Sequence, residues 1–225
     1  PETNQWELND SLLDAVRADD LAKTQELLSK KANPNSGSLG GEPLAIAAAN
    51  GNVAIVDLLL SNGAYPDADI ETDAPALTEA ILNNHFEVLD LLLKRGARAT
   101  AYSNYSPDEP LIHAARTGNP QIIKLLLDHG ADIEKSCLVF TPLTEAARQG
   151  NVKAVVFLVN NGAQVNPEKI EYTPLILAAA GGYTRVVSIL VSRGAIIDSM
   201  SSKGTALMHA AQGGHVETLR VLLKA

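Results

Sequence analysis

Residues 141–163 read TPLTEAARQGNVKAVVFLVNNGA, and the order of residue types in this stretch decides the fold. Thr141 before Pro142 marks a helix start. A threonine hydroxyl at the N-cap accepts from an amide that has no partner in the first turn, and proline at the first helical position gives up an N–H that would have none either. Asn151 starts a second helix in the same way. Gly162 then ends it, because glycine enters the left-handed conformation of a helix C-terminus without a steric penalty. The stretch is therefore a helix-turn-helix unit opened by Thr-Pro-Leu and closed by Gly-Ala.

Both marks recur along the chain. Gly-Ala stands at Gly63-Ala64, Gly96-Ala97, Gly130-Ala131, Gly162-Ala163 and Gly194-Ala195, in steps of 33, 34, 32 and 32 residues. The leucine of the opening mark recurs as Leu12, Leu44, Leu77, Leu111, Leu143, Leu175 and Leu207. Alanine pairs (Ala47-Ala48, Ala114-Ala115, Ala146-Ala147, Ala178-Ala179, Ala210-Ala211) keep the first helices slim enough to approach one another. The second helices, which Asn52, Asn119 and Asn151 are expected to cap, carry one apolar stripe each, as in Ile122-Ile123 with Leu126-Leu127. A fixed period of this length means a solenoid, in which each unit buries its apolar face only against its neighbours. The expected fold class is all-α, stacked helix-turn-helix units joined by short extended fingers.

With TPL at one end of the unit and GA at the other, the chain resembles the ankyrin repeat family along nearly its whole length. The resemblance implies one repeat domain over 1–225, with units at 8–40, 41–73, 74–107, 108–139, 140–171, 172–203 and 204–225. It also implies protein–protein binding through the fingers and the concave face of the first helices. This chain departs from the family's pattern after the TPL leucine, where the usual histidine is replaced by Ala45, Thr78, Ile112, Thr144, Ile176 and Met208. The first unit presents a polar helix, with Asn9, Asp10, Asp14, Arg17 and Asp19, as a terminal repeat needs. The last, HVETLRVLLKA, reads as an interior unit, so the sequence is expected to be a segment of a longer protein.

Composition narrows the function. The chain of 225 residues has nine aromatic residues, so its interior must be built from aliphatic side chains. No apolar run reaches the roughly 18 to 20 residues of a membrane span. Cys137 stands alone, which excludes an internal disulfide and a multi-thiolate zinc site and fits the cytoplasm or nucleus. It reads as a reactive thiol or a plain exposed cysteine, with Lys135 its nearest basic neighbour in sequence. A net charge of -8 argues against nucleic acid as a partner. There is no nucleophile elbow, no phosphate-binding glycine loop and no histidine pair at i, i+4, so neither catalysis nor a cofactor is expected.

The binding expectations fall on the fingers and on the first helices. Residues 33–42, 65–74, 98–109, 132–140, 164–172 and 196–204 hold 12 acids and 4 bases, so the net charge resides on the fingers. Asp67, Asp69, Glu71 and Asp73 form the strongest cluster, read either as a site for a basic partner segment or as a solvated loop. Tyr65, Tyr102, Tyr105, Phe140 and Tyr172 place five of the nine aromatics in fingers, where they would serve as interface anchors. Leu138 and Phe140 stand in register with Ile170 and Tyr172 one unit later, which gives an apolar two-finger ladder. It either binds a partner or stacks on itself.

On the first helices, Arg116 and Arg148 occupy equivalent positions, with Glu145 and His113 nearby. Two readings stand for them. The arginines pair with a partner's carboxylates or carbonyls, or Arg148 pairs internally with Glu145 three residues away. The leading expectation is a scaffold or adaptor that binds a protein or peptide, with a monomer favoured and the oligomeric state left open. The resemblance to the family also makes Asn166 and Asn35, each eight residues after a leucine, candidates for asparaginyl hydroxylation. A spacer or self-association role is the third possibility.

Overall fold

The computed structural model describes residues 4–37, 41–67, 76–100, 109–136, 140–168 and 170–225. These residues form helices in consecutive pairs, and the chain divides into two units, Pro1–Tyr102 and Ser103–Ala225. The first unit holds α1 (Gln5–Arg17), α2 (Leu21–Ser29), α3 (Glu42–Asn50), α4 (Val53–Ser61), α5 (Ala76–Leu82) and α6 (Phe86–Lys94). Its odd-numbered helices pack side by side in one row and its even-numbered helices in another. The second unit repeats the plan with α7 (Pro110–Thr117), α8 (Pro120–Asp128), α9 (Pro142–Arg148), α10 (Val152–Asn160), α11 (Pro174–Ala180), α12 (Thr184–Ser192), α13 (Ala206–Gln212) and α14 (Val216–Lys224). Each unit is an all-α stack of helix pairs, the solenoid architecture that the periodicity predicts.

The opening mark works by capping. Thr141 accepts from the amide of Thr144, and Thr144 Oγ1 in turn accepts from the amide of Thr141, so two amides of the first turn are satisfied reciprocally. Thr173 accepts from the amide of Ile176, and Thr205 does the same for Met208 without a proline. The alanine pairs sit between rows: Ala47, Ala48, Ala114, Ala115, Ala146, Ala147, Ala178 and Ala179 have no exposed surface. A larger side chain at any of these would push neighbouring helices apart. Ile122, Ile123 and Leu126 on α8, and Val186, Val187 and Leu190 on α12, are the buried stripes of the second row.

The closing mark is a Schellman turn. Gly63 N–H donates to Leu60 and Ala64 N–H to Leu59, with Gly63 at φ +91, so the glycine takes the left-handed position and the alanine behind it is buried. The same pair of bonds closes α6, α8, α10 and α12. It also closes α2, where Lys31 stands at φ +72 in place of glycine.

Two local expectations change. Asn52 and Asn119 cap their helices, by accepting from Ile55 and Gln121, but Asn151 makes no side-chain cap. Its amide group instead donates to the carbonyls of Ala115 and Arg116 one repeat earlier, where it ties α7 to the turn before α10. Near the end of the chain the finger is a small antiparallel hairpin, β1 (Met200–Ser201) with β2 (Gly204–Thr205), Met200 opposite Thr205.

Candidate functional site

Glu145 is the centre of the best-defined polar cluster. It lies on α9 with its side chain 1% exposed, among the buried Leu143, Thr144, Ala146 and Ala147, and a carboxylate there is tolerable only if its oxygens are paired. They are. Oε1 accepts from Arg116 Nε at 2.8 Å, Arg148 Nη2 at 2.8 Å and Gln149 Nε2 at 3.0 Å, and Oε2 accepts from Arg148 Nε at 2.9 Å. Burial alone would raise the carboxyl's pKa. The hydrogen bonds from Arg148, Arg116 and Gln149, with the charge of Arg148, together outweigh burial and bring it down to about 2. The same hydrogen bond to Glu145 raises the Arg148 pKa further.

The arginines themselves remain at the surface, 45% and 41% exposed. Arg148 uses two of its three nitrogens on Glu145, and its guanidinium carbon stands 5.4 Å from the centre of the Phe140 ring, a cation–π distance. Tyr183, the residue before α12, stands over the backbone of Gly150, two residues after Arg148. Farther along the row the edge of Tyr172 meets the ring of His209 at 6.3 Å between centroids. Phe140, Ile170 and Tyr172 are half-buried. The internal pairing of Arg148 with Glu145 is therefore present, and Arg116 reaches the same carboxylate from the neighbouring helix.

The remaining sequence candidates separate. His113 and Glu145 are buried, so neither offers surface to a partner directly; Glu145 acts only through the two arginines. Asp67 accepts from the backbone amide of Arg98 at 2.9 Å. Asp69, Glu71, Asp73, Tyr102, Tyr105 and Leu138, with Cys137 and Val139, lie outside the described residues. Asn35 and Asn166 hold equivalent places. Asn35 donates to Gly63 O and accepts from Tyr65 N; Asn166 donates to Gly194 O and accepts from Ile196 N, all at 2.8 to 2.9 Å.

Those bridges are a residue role that motif reading misses. Glu134 makes the acceptor half of the same bridge to Gln164 N, and partial burial there raises its pKa, against that hydrogen bond. The signal was present as a spacing of about one repeat between a finger Asn, Asp or Glu and the residue after the next Gly-Ala. Among the described residues no group of His, Cys, Asp and Glu is placed to hold a metal ion, and no helix is long and apolar enough to cross a membrane.

Known proteins carry the same architecture. A family model described as ankyrin repeats matches three times, over residues 12–103, 99–169 and 165–225. The crystal structure of the human ASB11 ankyrin repeat domain superposes with a TM-score of 0.86 at 26% identity, over 95% of this chain and 96% of that one. The ankyrin repeat protein FPV014 of fowlpox virus is 35% identical over 91 residues, 40% of this chain and 21% of its own length. Ankyrin repeat protein nuc-2 of Neurospora crassa is 40% identical over 90 residues, again 40% of this chain but 8% of its own. The matched stretch thus spans only about a fifth or less of these relatives.

Proposed function

Since the chain belongs to the ankyrin repeat family, we propose that it is a protein-interaction module that seats a segment of a partner protein across the fingers and first helices of its second unit. The observation that carries this reading is the cluster around Glu145. Two guanidiniums are held at the surface by a buried carboxylate, with Phe140 beside one of them. Protein-binding surfaces favour arginine and aromatic side chains, because both bury much area with few rotors left to freeze. A scaffold or adaptor role without catalysis, in the cytoplasm or nucleus, is consistent with this.

The test is a comparative pull-down. Phe140→Ser with Tyr172→Ser removes aromatic area at half-exposed finger positions without touching the fully buried layer. Partners captured by the unmutated chain are expected to be lost from the double variant. Equal capture by both chains, with both shown folded by circular dichroism, would overturn the footprint.

A further inference from the structure

We propose that Arg116 and Arg148 form a receptor for one carboxylate of an acidic segment in the partner protein, an inference that rests on the interaction reading above.

The geometry comes first. Arg116 gives only its Nε to Glu145, and Arg148 gives Nε and Nη2, so terminal N–H groups of both guanidiniums are left over. Because Arg116 Nε and Arg148 Nη2 each stand 2.8 Å from the same oxygen, these two nitrogens are separated by no more than the two bonds together. The proposed anion takes its two oxygens to the spare donors of the two guanidiniums. A carboxylate fits arginine's planar fork by paired, parallel hydrogen bonds, which an ammonium does not provide.

Charge points the same way. Two cations on one carboxylate leave a net +1, in a chain whose formal charge is -8. Glu145 is the only acid on the first helices of the second unit. Neither PLIHAART of α7, PLILAAA of α11 nor ALMHAAQ of α13 contains one. The first helices of the first unit are the reverse, with Glu7, Asp10, Asp14, Glu42 and Glu79 against Arg17, and Arg17 is paired with Glu42 at 3.0 Å. The positive surplus of the second unit's first helices thus resides at Arg116 and Arg148.

Internal pairing alone does not account for this arrangement. One arginine satisfies a carboxylate, and a second half-exposed one adds little to stability. What the second adds is position. A buried acid holding both guanidiniums in place reduces the ordering that a ligand must impose on binding. A single negative charge neutralises the site, whereas a phosphate dianion would overfill it, and a long polyanion would meet the acidic fingers. The Phe140 ring beside Arg148 offers apolar area to the residue next to the bound acid.

The experiment is a random-peptide display screen against the immobilised chain, followed by fluorescence anisotropy of the enriched peptides. Each peptide is also made with every Glu changed to Gln or Asp to Asn, and with phosphoserine in place of the acid. The expected result is enrichment of acid-containing peptides in which one carboxylate-to-amide change weakens binding about tenfold or more. Arg116→Ala, which leaves Arg148 on Glu145 and the fold intact, is expected to weaken binding to the same degree. Enriched peptides without acids, or peptides indifferent to both changes, overturn this inference and leave the interaction module standing. Tighter binding of the phosphoserine form overturns the carboxylate assignment. No enriched peptide at all defeats the interaction reading with it.

Discussion

Arg116 and Arg148, on consecutive first helices of the second unit, donate to the same carboxylate oxygen, Oε1 of Glu145, each at 2.8 Å. A polar cluster that links two repeats through one buried acid makes stability depend on the ionisation of that acid.

Its pH dependence has a definite sign. The folded-state pKa of Glu145, about 2, lies below the ordinary 4.5, so the unfolded chain binds the proton more readily. The stabilisation is fully present above pH 4.5 and is lost as pH falls from there through about 2. Its size is at most about 3 kcal/mol, because the arginines are partly in water and screened. Urea unfolding followed from pH 7 down to pH 2 is expected to show a steeper loss of stability for the unmutated chain than for Glu145→Gln. Parallel curves for the two would contradict the assignment.

Lys31 gives a second prediction. It stands at φ +72 where the other Schellman turns have glycine, and its amide already makes the expected bond to Leu28 O. Left-handed backbone costs a side-chain-bearing residue roughly 1 kcal/mol, part of which glycine returns through its more flexible unfolded state. Lys31→Gly is expected to raise stability by about 0.5 to 1 kcal/mol, read as a higher thermal midpoint, with the bond from Gln5 Nε2 to the residue 31 carbonyl kept.

Much of this architecture was legible from spacing, because the helix starts, small interfaces and helix ends each demand a residue type at a fixed place in the unit. Thr141, Ala146-Ala147 and Gly162-Ala163 announce cap, close approach and Schellman turn before any coordinates. What stayed hidden depends on geometry between units. Arg116 and Glu145 share no local motif, and their bond exists only because Arg116 falls one helix away from Glu145 once the repeats stack. Asn151 looked like a cap by analogy with Asn52, yet its amide group goes to Ala115 and Arg116 carbonyls, a choice between two satisfied states that local sequence does not distinguish.

The finger asparagines carry a third prediction. Asn166 links Gly194 O and Ile196 N across one repeat, and Asn35 links Gly63 O and Tyr65 N in the same way. Each side chain satisfies two backbone groups at once, so its removal leaves both to water. Asn166→Ala is expected to cost about 1 to 2 kcal/mol in urea unfolding, and Asn35→Ala a similar amount. Hydrogen exchange supplies the local readout: the amide of Ile196 is expected to exchange faster in Asn166→Ala while that of Leu126, on the buried stripe of α8, does not change. An unaltered Ile196 amide would show that the bridge is not formed in solution.

Tyr183 sets stability against binding. His85 and His215, at the same place in their repeats, reach back with Nε2 to the carbonyls of Ala49 and Ala180 at 3.0 Å. Tyr183 makes no such bond. Its ring covers the backbone of Gly150 so closely that a Cβ there would lie 2.4 Å from Cδ1. Tyr183→His is expected to place an imidazole over Gly150 as His215 lies over Gly182, with the carbonyl of Arg148 as the acceptor at the equivalent position. The gain is about 0.5 to 1.5 kcal/mol for the new hydrogen bond, measured as a shift in the urea midpoint. The same change replaces the phenol ring over Gly150, two residues after Arg148, by a smaller imidazole, so affinity for an acidic peptide is expected to fall as stability rises. A variant that is more stable and binds equally well would place Tyr183 outside the interface; one that is less stable would show that its ring packs better than the histidine it stands in for.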